Sequence, residues 1–173
     1  MKILVTAASK HGGTAAIAEA ICRVLCDAGL DAENKPVDSV TSVADYDAVV
    51  MGSAVYVGRW LSAATRFVQT HADELSRRPL WLFSSGPIGA PEAKPIGDPE
   101  SIPELVEQVN ARAHRVFKGR IDRGLLSFGE KLAVRAVRAP EGDYREWAAI
   151  ESWARGIADQ LLPARATVGT LGR

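Results

Sequence analysis

The chain has 173 residues, 47% hydrophobic and 24% charged, with 21 Lys and Arg against 21 Asp and Glu. That length fits one domain with a single sizeable core, and zero net charge leaves no global field to draw nucleic acid. No apolar run approaches the roughly 18 residues of a membrane span, and the N-terminus carries no signal-peptide pattern, so a cytoplasmic setting is expected.

Residues 2–6 read as a short apolar strand. It breaks into Ala7-Ala8-Ser9-Lys10-His11-Gly12-Gly13-Thr14, and a helical pattern follows over 13–28. A helix start presents unpaired backbone N–H groups and partial positive charge, which together suit a phosphate. Ser9 and Thr14 add hydroxyls, Lys10 adds charge and His11 a proton donor. Gly12 and Gly13 let a ligand approach the backbone closely. The plain alternative is an ordinary βα turn with a Thr near the helix start. Cys22 and Cys26, the only two cysteines, sit among Ile21, Val24 and Leu25. Buried thiols are expected there rather than half of a metal site. Gly29 ends the helix as its C-cap glycine.

Further strands are expected at 31–37, 48–52, 80–84 and 115–119, and further helices at 62–75, 102–113, 128–137 and 144–162. The unbroken run Ala48-Val49-Val50-Met51 suits a parallel sheet covered on both faces. Five strands with intervening helices predict a doubly wound α/β fold in strand order 2-1-3-4-5, with an insertion after strand 5. Ligands in such sheets bind beyond the carboxyl ends of the strands, at the switch between strands one and three. Two segments converge there, the turn from Ser9 to Thr14 and the loop from Gly52 to Trp60. Within the loop Ser53, Ala54, Val55, Tyr56, Val57 and Gly58 are candidate ligand contacts. Tyr56 is expected to lie against a flat ring, while Trp60 divides between that role and core packing. Ser85 and Gly86, after the fourth strand, bring backbone groups to the same edge. A Pro- and Gly-rich loop follows them, to Pro99.

Absent motifs narrow the ligand. No G-x-x-x-x-G-K-[ST] occurs, the first turn is not G-x-G-x-x-G, and no acid ends the first or third strand. What remains is a neutral, hydroxyl- and glycine-rich cradle of the kind used for a phosphomonoester such as that of FMN. No Ser-His-Asp grouping, acid–base carboxylate pair or metal-ligand cluster stands out, and His71 and His114 carry no signal. No catalytic residue is singled out, and the chemistry is expected to come from a cofactor.

Ser9-x-x-Gly12-x-Thr14, between a first strand and a helix, resembles the FMN phosphate loop of the flavodoxin family. With Lys10 after the first hydroxyl, this turn is most similar to that of the bacterial menaquinone-dependent protoporphyrinogen IX dehydrogenases. The similarity extends through Gly52 to Ala63 and Phe67 to Ala72. Two positions depart: Ala7 replaces an aromatic common in flavodoxins, and Tyr56 stands where the dehydrogenases carry a basic residue. The resemblance implies a flavodoxin-like fold, FMN as cofactor, and an FMN-dependent oxidoreductase of heme biosynthesis that passes reducing equivalents to a quinone. The alternative is an electron-transfer flavodoxin that shuttles electrons between protein partners. A domain without cofactor is disfavoured by the intact Ser9, Gly12 and Thr14.

From Arg112 to Arg138, eight Lys and Arg face only Asp122 and Glu130, a local net charge of +6. Phe128, Leu132 and Ala136 recur at helical spacing, with Lys131, Arg135 and Arg138 on another face. A basic amphipathic helix suits an anionic membrane surface. It equally suits the frame of a pocket for a quinone or carboxylated substrate, or a solvated helix packed on the domain. Peripheral membrane contact from Arg120 to Arg138 and a quinone or small-molecule redox partner are the expectations. Nothing fixes the oligomeric state. The domain is expected to span 1–162, with 163–173 a frayed tail.

Overall fold

The computed structural model describes residues 1–56, 58–86, 102–122, 124 and 141–162. Five parallel strands form its centre, β1 (Lys2–Ala8), β2 (Asp31–Pro36), β3 (Ala48–Tyr56), β5 (Leu80–Gly86) and β6 (Ala113–Lys118), in the order β2-β1-β3-β5-β6. A short β4 (Arg59–Trp60) folds back antiparallel on the end of β3. This is the doubly wound parallel sheet expected from the alternation of elements, with β4 added.

Alternating side chains of the strands build two cores. On one face Ile3, Val5, Val50, Trp81 and Phe83 pack under α1 (Gly13–Asp27) and the C-terminal helix α5 (Trp147–Leu161). On the other, Leu4, Val49, Met51 and Leu82 pack under α2 (Ser62–Thr70), α3 (Ala72–Leu75) and α4 (Ile102–Gln108). Each such side chain, fully withdrawn from water, contributes about 1.5–3 kcal/mol of hydrophobic free energy. β2 is the polar edge. There Glu33 accepts hydrogen bonds from the Tyr46 hydroxyl and from Lys35 Nζ at 3.0 Å, and Lys2 Nζ stands 3.2 Å away.

Several boundaries move from their expected places for physical reasons. The helix expected over 62–75 is two helices that meet at His71. The one expected over 102–113 stops at Gln108 because Asn110 adopts φ 50°, and Ala111 N–H returns to Val106 O at 3.0 Å. Asn is among the few residues that accept this left-handed C-cap conformation. Gly29, at φ 89°, caps α1 in the expected way, with Leu30 N–H donating to Leu25 O at 3.1 Å. The last helix starts at Trp147 rather than near Tyr144, because Tyr144 N–H is held by Gly119 O at 3.1 Å directly after a two-stranded ribbon. That ribbon, β7 (Arg120–Ile121) with β8 (Gly142–Asp143), zips together the two ends of the insertion.

Val57, the Pro- and Gly-rich stretch from Pro87, the helix expected over 128–137 and the tail 163–173 lie outside the described residues. Among the described residues no helix is long and apolar enough to cross a membrane.

Candidate functional site

The chain leaves β1 to one side for β2 and later crosses to β3 on the other, so the switch point lies beyond the ends of β1 and β3. Ala8 and Ser53 are paired in register there. The turn 9–12 therefore starts beside the last residues of β3.

Gly12 occupies the N-cap of α1 at φ 78°, a left-handed conformation that glycine takes without strain. No side chain caps the helix, and no acid lies in its first turn. The helical ladder begins with Ala16 N–H donating to Gly12 O at 3.0 Å, so the N–H groups of Gly13, Thr14 and Ala15 precede it. Ser9 Oγ is buried and has no hydrogen-bond partner among the described residues. Leaving a buried hydroxyl unpaired costs about 1–3 kcal/mol, so a ligand oxygen here would be held by groups already desolvated. Thr14, 3% exposed, is held against the body of the protein, while Lys10 and Gly12 are exposed and His11 and Gly13 half-buried. Bare helix donors, an unsatisfied hydroxyl and a neutral backbone fit a phosphomonoester dianion.

Beside this cradle stands the end of β3. Tyr56, the last residue of the strand, is half-buried, and Lys10 Nζ lies 5.6 Å from its ring centroid. Gly58, at φ 72°, turns the chain into β4. The expected loop from Gly52 to Trp60 is thus largely a β-hairpin. Ala54 is buried, Val55 packs into the α2-side core, and Ser53 is fully buried, its Oγ accepting from Leu61 N–H at 3.0 Å and donating to Ala54 O at 2.9 Å. Trp60 lies 6% exposed in that same core, its indole N–H donating to Ser84 Oγ at 2.7 Å. His114 Nε2, half-buried, meets the same Ser84 oxygen at 2.8 Å, a polar chain for which sequence spacing gives no hint.

Ser85 and Gly86 are strand residues at the buried end of β5. Gly119 N–H donates to Gly86 O at 2.9 Å, and a Cβ on Gly119 would stand 2.7 Å from that oxygen. This close approach, which only glycine permits, swings the chain from β6 into the ribbon and back over the start of α1. Arg120 Cβ then lies 3.9 Å from where a Cβ on Gly13 would be. Arg145, just after the ribbon, donates from Nη1 to Gly13 O at 3.4 Å. Neither arginine is among the cofactor contacts that the sequence suggests, Arg120 being marked there only for membrane contact, because their approach to Gly13 is made by tertiary packing. The one local hint is Asp143-x-Arg145, a spacing that places both side chains on one face of extended chain.

The thiols correct an expectation: Cys22 is half-buried and Cys26 exposed, its Sγ donating to Ala32 O at 3.3 Å. Cys26 lies in the last turn of α1, where the apolar stripe that surrounds Cys22 gives way to solvent. Burial, with the Cys26 thiol beside it, pushes the Cys22 thiol up to about 12, so Cys22 remains protonated at neutral pH. No group of three or more His, Cys, Asp or Glu among the described residues is placed to hold a metal ion.

A family model described as the flavodoxin domain matches residues 4–147. Homologues with this domain bind FMN. Among solved structures the chain is similar to a flavodoxin from the domain Archaea, with 19% identity, TM-score 0.63, and coverage of 93% of this chain and 99% of that one. A cysteine-to-serine variant of flavodoxin from Pseudomonas aeruginosa matches with 16% identity, TM-score 0.63, and coverage of 93% and 99%. Rubredoxin:oxygen oxidoreductase from Desulfovibrio gigas matches with 13% identity and TM-score 0.62, over 92% of this chain and 36% of that one. These identities establish the shared fold. No curated protein sequence matches the chain significantly.

Proposed function

The chain belongs to the flavodoxin-domain family, and from that premise we propose that it is an FMN-binding redox protein whose turn 9–14 holds the cofactor's phosphate. The observation that carries this is the bare start of α1 beside the unpaired, buried Ser9 Oγ. The N–H groups of Gly13, Thr14 and Ala15 and the hydroxyls of Ser9 and Thr14 supply donors to phosphate oxygens. Lys10 adds charge at the mouth, where charge-assisted bonds are stronger than neutral ones. Tyr56 offers an aromatic wall, and Ser85 and Gly86, at the end of β5, mark the far edge. When bound, FMN supplies transfer of one or two electrons. The protein's part is to hold and orient it. An absorption spectrum of the purified protein with flavin bands, and release of FMN rather than riboflavin on denaturation, test the reading.

The finer reading is an oxidoreductase that resembles the quinone-dependent protoporphyrinogen dehydrogenases. Its support is the motif from Ser9 to Thr14, the stretches from Gly52 to Ala63 and Phe67 to Ala72, and the +6 segment from Arg112 to Arg138. That segment suits a carboxylated tetrapyrrole or an anionic membrane carrying the quinone. Quinone reduction with protoporphyrinogen as donor is its test. A second reading, an electron carrier between proteins, is favoured by the near-complete coverage of two flavodoxins over their own lengths. Turnover with protein donors and none with tetrapyrrole and quinone would select it.

A further inference from the structure

The guanidinium of Arg145 is fixed before it reaches the phosphate turn. Its Nε and Nη2 form a fork on Asp143, at 2.8 Å to Oδ1 and 2.5 Å to Oδ2, and its backbone N–H donates to the same Oδ1 at 3.2 Å. Trp147 covers one face, with Cζ 4.5 Å from the ring centroid, and the side chain is only 8% exposed. The Arg145 hydrogen bond holds the Asp143 carboxyl below the usual carboxylate range, so the fork stays charged at neutral pH. Asp143 itself is paired across the ribbon with Arg120, the residue whose Cβ abuts Gly13. With two nitrogens committed, Nη1 is left aimed at Gly13 O, 132 positions away in the chain.

The acceptor matters because of the peptide plane it belongs to. The carbonyl of Gly13 and the N–H of Thr14 share one planar trans peptide and point in opposite directions. Gly13 is the first residue of α1, so its oxygen is also a ladder acceptor, and Arg145 adds a charged second donor to a carbonyl whose peptide carries the Thr14 N–H, one of the three donors that precede the ladder. A cation on the oxygen further polarises that N–H, since linked hydrogen bonds strengthen one another in a medium of low dielectric.

We propose that Arg145 is a positioning residue for an anionic phosphomonoester. From an anchor on Asp143 it adds a charged donor to the Gly13 carbonyl and so steadies and strengthens the Thr14 N–H toward the phosphate. This rests on the FMN reading of the turn 9–14 and deepens it. It makes the ribbon at the end of the insertion part of the discrimination between FMN and uncharged riboflavin, beyond the hydroxyls and glycines of the turn itself.

The test is titration of the apoprotein with FMN and with riboflavin, followed by flavin fluorescence, for wild type, Arg145→Met, Asp143→Asn and the double variant. Arg145→Met is expected to weaken FMN by about tenfold and leave riboflavin within about twofold, because only the phosphate feels the lost polarised donor. Asp143→Asn, which keeps the guanidinium but loosens its anchor, shifts FMN in the same direction by less. The double variant is no weaker than Arg145→Met, as expected for residues acting as one unit. Thermal unfolding of each apoprotein separates this from a structural role, which would lower both flavin affinities together with the melting temperature. An FMN-selective wild type whose selectivity survives Arg145→Met overturns the inference alone. A wild type that binds the two flavins equally overturns the phosphate reading, and this inference with it.

Discussion

Lys10 Nζ stands 5.6 Å from the centroid of the Tyr56 ring, and the His11 ring meets the same tyrosine edge-on at 6.3 Å. The turn after β1 and the end of β3 therefore support each other through side chains as well as through the Ala8–Ser53 register. Cation–π contacts at such half-exposed positions are worth about 0.5–1 kcal/mol. Removing the ring loosens the lysine and takes away the aromatic wall together.

Tyr56→Ala is accordingly expected to raise the Kd for FMN by about tenfold, the loss of one aromatic contact of about 1.4 kcal/mol. Tyr56→Phe keeps the wall and stays within a factor of about three. Fluorescence titration measures both. An unchanged Kd in Tyr56→Ala would remove this residue from the site.

Gly52 lies under the ring of Phe83. A Cβ at residue 52 would stand 2.1 Å from Phe83 Cζ, and Phe83 is fully buried against Phe117 and Trp153. The ring has nowhere to go, so Gly52→Ala is expected to destabilise the fold by about 3 kcal/mol or more. A urea denaturation midpoint indistinguishable from wild type would show that the ring can shift.

How much of this was legible in the sequence depends on the range of the interaction. Strand, turn and helix from Lys2 to Asp27 follow from local pattern, and so does the Gly29 cap. The polar strand β2 was also legible despite its exposed character, because it fills the rhythm of alternating elements. The ends of elements were less so. Asn110 stops α4 through a left-handed conformation, and β3 runs on past Gly52 because Ser53 and Ala54 pair with β1 and β5, and Val55 and Tyr56 with β4. Trp60 illustrates the limit. Local sequence does not choose for it between ligand and core, and what decides it is Ser84, an acceptor 24 residues away. Arg145 was not among the candidates at all, because its contact with Gly13 depends on the sharp exit at Gly119 and the closing of the ribbon.

At the edge of the sheet, the hydrogen bond from the Tyr46 hydroxyl, followed by that from Lys35, holds the Glu33 carboxyl down at about 2 against an ordinary 4.5. A carboxyl depressed on folding contributes stability that is full above its unfolded value and lost as pH falls through its folded one. The melting-temperature advantage of wild type over Glu33→Gln should thus be constant above pH 4.5 and shrink between 4.5 and about 2. A difference independent of pH across that window would contradict the network.

The basic residues Lys131, Arg135 and Arg138 lie outside the described residues, and their role is tested by charge alone. Each basic residue near an anionic bilayer contributes about 1 kcal/mol, screened by salt. Neutralising all three should abolish most binding to vesicles rich in anionic lipid while FMN content stays normal, and raised salt should mimic the change. Vesicle binding that is absent in wild type, or unaffected by the substitutions, counts against a membrane-facing role.

The central claim is that the turn from Ser9 to Thr14 recognises a phosphate, and the most direct measurement is the affinity of the apoprotein for FMN against riboflavin, in wild type and in Thr14→Ala. The two flavins differ only in the phosphate. FMN should bind more tightly by a factor of about 100 or more, and Thr14→Ala should cost about 1.5–3 kcal/mol for FMN, the worth of a hydrogen bond to a charged group. Riboflavin affinity should stay nearly constant. Equal affinity of the wild-type protein for the two flavins would contradict the account.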